Sequence, residues 1–340
     1  MKLVPKLYLL LTACLILNSS CVIGPLTNQV SESMGVDNAI LLTKKSYPIE
    51  SVKNVKVTTS GGFVSVTGDA DQEAVLEMYV RPNTSSRISK EEIQTILDRD
   101  YEISILQNGN TLEARAKRKD NLTWENAISI SFKIRTSRNV TTDLNTSGGS
   151  IKLANLSGKQ DFRTSGGILE LDNLQGDITG KTSGGSIQIS NSKGIINLTT
   201  SGGGIRIDNL DGNVFVSTSG GSIKGENIIG MLTAETSGGS IDLGDLACKL
   251  DASTSGGSVT TVFRELTSSV QLSTSAGSVN LTLPENASAD LNLKGFKVNA
   301  DNIPGFDGSN VKGKLTGKMN GGGASVYAST SAGNVNLNFN

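Results

Sequence analysis

The tetrapeptide Thr-Ser-Gly-Gly returns every eighteen residues, starting at Thr146, Thr164, Thr182, Thr200, Thr218, Thr236 and Thr254. A Thr-Ser-Ala-Gly variant starts at Thr274 and Thr330, and an earlier copy starts at Thr59. A fixed period of this length marks a structural repeat in which each unit is one rung of a stack. Counting from the Thr, positions six and eight are apolar around a polar residue, as in Ile151/Leu153, Ile187/Ile189 and Ile205/Ile207. Positions fifteen and seventeen alternate likewise, as in Ile196/Leu198 and Val214/Val216. Strict alternation is the mark of a strand with one buried face. No window of the repeat has the spacing near 3.6 that a helix needs, so each rung reads as strand, turn, strand, turn.

The turns repeat too. Gly158, Gly176, Gly194, Gly212 and Gly230 occupy position thirteen. Position ten is Asn155, Asn173, Asn191, Asn209 and Asn227, then Asp245. Asparagine tolerates left-handed backbone geometry, and stacked asparagines bond one another up a column. Strands that return in the same direction at a constant interval stack in parallel and in register. The expected fold is therefore all-β: a parallel β-solenoid of about eighteen-residue rungs, a right-handed single-stranded β-helix with an N-terminal α/β insert. At ~4.8 Å per rung, the regular repeats make a rod of ~34 Å. The rung at Thr254 is two residues longer, yet Val270 and Leu272 keep their distance from Thr274. The extra residues are expected in a turn, with strand register preserved. Continuing the alternation points the Thr inward and the Ser outward.

The expected organisation starts with a lipoprotein-type signal peptide over 1–21. Lys2 and Lys6 precede an apolar run, Leu7 to Leu17, too short to span a bilayer. Cys21 is the expected lipidation site, with Cys14 as the alternative. Residues 22–45 read as a tether, and 46–340 as the solenoid. Within it, 69–140 is a non-repeat insert or cap, 146–273 holds the regular rungs, and 274–340 holds degenerate C-terminal coils with a loop at 301–312. The insert carries the one helix signal, Ser89 with Glu92 as a capping box ahead of Ile93, Ile96 and Leu97. A hairpin around Asn108-Gly109 follows, then a strand from Ile128 to Ile134. This block is expected to cover one end of the stack, because an open end recruits other strands.

Little of the chemistry-bearing alphabet is present. The 340 residues contain no histidine, which excludes a Ser-His-Asp triad, a Cys-His dyad and any histidine metal site. A net charge of −1 gives no basic surface for nucleic acid. Glu170, Asp172, Asp208, Glu226 and Asp242 project outward, but Lys152, Arg206 and Lys224 lie on the same outward face, as a solvated sheet face requires. Asp69-Ala70-Asp71-Gln72-Glu73 is shorter than a calcium loop and lacks its spaced glycine. Trp124, near Asn121, reads as a packed cap residue. Ice-binding solenoids need flat outward Thr rows, which the inward Thr parity opposes. Cys248 replaces a column glycine and reads as a packed free thiol. No cofactor and no catalytic residue is expected.

Three stretches resemble a known family: the pattern Ser-Gly-Gly-Ser-Ile-x-Leu-x-Asn-Leu-x-Gly, the run Val279-Asn280-Leu281-Thr282-Leu283-Pro284, and the closing Thr330-Ser331-Ala332-Gly333-Asn334-Val335. They resemble the bacterial putative-adhesin domain family, over about residues 50–340. The resemblance implies a β-solenoid without catalytic residues, and the helix-containing insert at 85–100 departs from it. The expected role is a non-enzymatic cell-envelope adhesin or scaffold whose partner is a surface protein or glycan. It would be held to the membrane by a lipid anchor, periplasmic or on the outer surface; the alternative localisation is secretion. Two other roles stand beside this one: a carbohydrate-binding or carbohydrate-active β-helix, and an envelope signalling or assembly accessory.

Overall fold

Alternation fixes which side of each strand is buried, and the eighteen-residue period fixes which residues become neighbours. In the computed structural model, which describes residues 39–83, 89–119 and 127–340, Ile187–Thr199, Ile205–Thr218, Ile223–Thr236 and Ile241–Thr254 are long strands. They lie parallel, with Ile187 opposite Ile205, Ile205 opposite Ile223 and Ile223 opposite Ile241. Earlier repeats split at the Asn corner, as in Ile151–Ala154 followed by Ser157–Arg163. Among the described residues the result is an all-β fold built on one long, mostly parallel sheet of 25 strands that does not close on itself. All of it lies within one unit, Met34–Asn340.

The apolar positions form a continuous interior from Val52 to Leu337. The repeated Thr is inside as well: Thr59, Thr146, Thr164, Thr182, Thr200, Thr218, Thr236, Thr254, Thr274 and Thr330 are all buried. The longer rung keeps register at Leu250–Val270 and Thr254–Thr274. Its pairing shifts between Leu243 and Leu246, and the added residues fall in the turn after Phe263.

Both ends are closed by segments that return from far along the chain. Asn54–Thr59 lies between Thr141–Thr146 and Thr111–Arg118, all parallel. Val64–Thr67 lies between Ile151–Ala154 and Ile128–Arg135. The 69–140 block thus makes one further layer of parallel strands beyond the Thr59 repeat. It then flanks that layer with antiparallel strands, Tyr101–Asn108 on one side and Glu73–Pro82 on the other. Helix Lys90–Asp100 lies between them in sequence. Its Ser89 hydroxyl accepts from the Glu92 amide at 3.1 Å, and the Glu92 carboxylate accepts from the Ser89 amide at 2.8 Å. Ile93 and Leu97 are its buried face.

Two expectations are corrected. The end of the expected tether is strand, because Ile40–Pro48 pairs antiparallel with Glu73–Pro82. The pairing slips between Leu41 and Thr43, so no clean alternation announced it. The expected loop at 301–312 contains strand Asp307–Val311, antiparallel to Lys314–Met319. All five residues of that strand are exposed, so it carries no burial pattern to read. At this end the last repeat is intercalated. Ala324–Thr330 sits between Val270–Thr274 and Ala289–Lys294, and Val335–Phe339 sits between Val279–Leu283 and Val298–Ala300.

Candidate binding surface

The Thr-Ser-Gly-Gly corner is held by one recurring bond. Except at Thr59, whose hydroxyl donates to the Ile130 carbonyl at 2.8 Å instead, each Thr hydroxyl donates to the carbonyl of the second glycine in the preceding repeat, as from Thr146 to Gly62 at 3.0 Å, Thr164 to Gly149 at 2.7 Å, Thr218 to Gly203 at 2.8 Å and Thr330 to Gly277 at 2.7 Å. The same hydroxyl accepts the amide of its own second glycine, as in Gly185 to Thr182 at 3.2 Å. A buried hydroxyl needs such partners. The second glycine is obligatory for a different reason: a Cβ on Gly203 would coincide with the main chain of Gly185 and Ser186. This corner therefore stacks main chain directly on main chain.

Its outer side is a trough. The serines that follow the buried Thr, Ser147, Ser165, Ser183 and Ser201, are exposed. They line a concavity of about 550 Å3 together with Asn145, Arg163, Lys181 and Thr199. Arg163 and Lys181 are register partners on adjacent strands. Asp161 accepts from Arg163 at 3.5 Å. The trough presents hydroxyls and two adjacent cations at constant spacing, which suits an extended polar ligand carrying negative charge.

On the opposite corner, Asn155, Asn173, Asn191, Asn209 and Asn227 all have left-handed backbones, with φ of 58°, 52°, 52°, 56° and 55°, and Asp245 follows at 52°. Asn173 donates to Asn155 at 2.7 Å, Asn209 to Asn191 at 3.0 Å and Asn227 to Asn209 at 3.0 Å. The ladder breaks once, where Asn191 donates to Asp172 at 2.7 Å. Arg264 ends it, donating to Asn227 at 2.7 Å and Asp245 at 3.0 Å. Nothing in the repeat pointed to Arg264, which lies in the lengthened turn. These asparagines hold a corner together.

Two of the outward carboxylates face cations: Lys152 lies 3.8 Å from Glu170, and Arg206 lies 2.7 Å from Asp208. Asp172, Glu226 and Asp242 are exposed, as is Lys224. Asp69 is engaged by Arg135 at 3.0 Å. Among the described residues no three acidic, Cys or His groups converge as a metal site. Cys248 is fully buried, and burial pushes its thiol up to about 12. A second trough of about 770 Å3 lies between the helix and the flanking strands, with Leu42, Met78, Tyr101, Asp98, Glu102 and Arg115 among its walls. Asp98 accepts from Gln94 on its own helix at 2.8 Å. Arg99 holds the Asp100 carboxyl below the usual carboxylate range by a direct hydrogen bond. Cys14, Cys21, Asn121 and Trp124 lie outside the described residues. No described helix is long and apolar enough to cross a membrane.

No protein-family model matches the chain, and no curated protein does. The chain is similar to the crystal structure of a putative adhesin from Parabacteroides merdae, with 12% identity, 87% of this chain and 95% of that one covered, and a TM-score of 0.36. It is similar to a putative cell adhesion protein from Clostridium sporogenes, with 11% identity, coverage of 88% and 99%, and a TM-score of 0.20. It is also similar to a putative adhesin from Bacteroides fragilis, with 10% identity, coverage of 87% and 96%, and a TM-score of 0.23. At such identities and TM-scores the likeness brings no ligand, partner or activity to this chain.

Proposed function

We propose that the chain is a right-handed parallel β-solenoid of eighteen-residue rungs that works by contact, as a cell-envelope adhesin or scaffold without enzymatic activity. The observation that carries this reading is the trough along the Thr-Ser-Gly-Gly corner. Its exposed serines sit on a corner that the Thr bonds and glycine packing hold rigid, and rigidity lowers the entropy lost on binding. The ligand class it fits is an extended glycan or polypeptide strand bearing carboxylates, held by Arg163 and Lys181. Lysine and arginine beside rows of hydroxyls recognise; a hydrolase of glycans needs a pair of carboxylates flanking the bond, and the trough has no such pair.

A glycan array and an envelope pull-down test this together. Wild type should retain an acidic ligand that Arg163→Gln/Lys181→Gln loses, without release of reducing ends. Turnover of a polysaccharide that disappears in Asp172→Asn or Asp208→Asn would replace this reading with the carbohydrate-active one. Attachment is proposed through a lipid on Cys21, or on Cys14. Metabolic labelling with a fatty-acid analogue should be lost in one of Cys21→Ser and Cys14→Ser; absence of label in wild type contradicts it and leaves secretion.

A further inference from the structure

The last layer of the sheet ends in two turns that touch. One is Gly295-Phe296-Lys297, between Ala289–Lys294 and Val298–Ala300. The other is Lys312-Gly313, joining Asp307–Val311 to Lys314–Met319. Lys312 and Gly313 both have positive φ, 44° and 77°, as a two-residue hairpin turn needs. The Gly295 amide donates to the Gly313 carbonyl at 2.9 Å, and the Phe296 amide donates to Gly333 at 2.8 Å. The two turns are therefore fastened to each other and to the repeat beneath.

Their side chains form an unusual surface. Phe296 is 83% exposed, more than any other large apolar residue described, and Val311 is 60% exposed. Lys294 and Lys314 are direct register partners, and Lys314 is also opposite Val311. Lys297 and Lys312 flank these positions in the turns, and all four lysines are exposed. Like charges directly opposite destabilise a sheet. The acidic residues on these three paired strands, Asp290 on Ala289–Lys294 and Asp307 on the hairpin, sit at the other end, opposite Lys318. None of the four lysines forms an ion pair among the described residues, although the chain as a whole has a net charge of −1.

We infer that this tip docks on an anionic phospholipid surface, a contact beyond the trough and independent of it. An exposed Phe at a turn apex, with lysines at the neighbouring turn and register positions, is the arrangement by which an amphipathic surface sits at the headgroup boundary. The lysine stems reach around the apolar residue while the ammonium groups meet phosphate. Each lysine near an anionic leaflet strengthens partitioning roughly five-fold. Phe296 and Val311 favour a bilayer over a soluble polyanion, which would leave both in water.

The test places a reporter at the tip. Phe296→Trp is made in a Trp124→Phe background of the full chain, and its emission is followed during titration with vesicles. With mixed phosphatidylserine and phosphatidylcholine, the emission should shift to the blue. With phosphatidylcholine alone it should not. Adding Lys312→Gln/Lys314→Gln should weaken vesicle binding roughly 25-fold, and raised salt should weaken it too. These exposed positions leave folding intact, which circular dichroism checks. Absence of a shift on anionic vesicles, or an equal shift on neutral ones, overturns the inference. So does an equal shift with a soluble polyanion such as polyphosphate.

Discussion

Gly202 and Gly203 are adjacent in one corner, and the structure assigns them opposite tolerances. A Cβ at Gly202 would meet Ser183 O at 3.5 Å, Gly184 O at 3.6 Å and Gly184 Cα at 3.7 Å, which is ordinary contact. Gly202 does not occupy the left-handed region. Gly202→Ala should therefore stabilise by about 0.5 kcal/mol, through lost freedom in the unfolded chain. A Cβ at Gly203 would overlap the carbonyl of Gly185 and the amide of Ser186. Relief requires the two repeats to separate. That movement strains the Thr218–Gly203 and Thr200–Gly185 bonds, both 2.8 Å, worth about 1 kcal/mol each. Overpacking adds about 1–3 kcal/mol. Gly203→Ala should cost about 3 kcal/mol, net of its own unfolded-state gain. Stacked repeats open locally, so hydrogen exchange across 200–207 is the assay. Exchange there should rise about a hundredfold in Gly203→Ala and fall slightly in Gly202→Ala. Similar exchange in the two variants would refute the claim that main chain packs on main chain at this corner.

Three further outcomes follow from the same register. Ile205→Asp places an unpaired carboxylate in the buried column and should cost several kcal/mol, whereas Arg206→Asp, which loses an exposed pair with Asp208, should cost about 1 kcal/mol or less; urea midpoints compare them. Thr261 is fully buried between Leu243 and Leu281, and its hydroxyl has no partner, so Thr261→Val should stabilise by about 1 kcal/mol in thermal melts. The Cys248 thiol, buried and pushed up to about 12, should resist alkylation at neutral pH until denaturant is added, since the thiolate is the reactive form; rapid labelling of the folded protein at this position would place it outside the core.

The repeating part of the fold was legible because every rung repeats the same local physics. Alternation set the buried side, and the period set the neighbour. The inward Thr and the held register at Val270 followed from these two facts alone. The ends were less legible, because their strands are defined by distant partners. Ile40–Pro48 is a strand only because Glu73–Pro82 lies beside it, and Asp307–Val311 only because Lys314–Met319 does. No local pattern could show that Ala324–Thr330 enters between two earlier segments. The trough was half visible: parity turned its serines outward, but it took the register to set Arg163 beside Lys181. The lysine tip was invisible, because Lys294 and Lys314 meet only through an antiparallel pairing with no period.

The proposed binding role rests on the in-register stack, and electron paramagnetic distance measurement tests that stack directly. Lys152, Glu170, Gln188, Arg206, Lys224 and Asp242 are successive register partners. Spin labels on Lys152→Cys with Arg206→Cys, and on Lys152→Cys with Asp242→Cys, are placed in a Cys14→Ser/Cys21→Ser/Cys248→Ser background. At ~4.8 Å per parallel strand, the separations should be ~14 Å and ~24 Å, both narrowly distributed. Broad distributions, or separations that do not grow in proportion to the number of repeats between the labels, would contradict the stack and the contact function built on it.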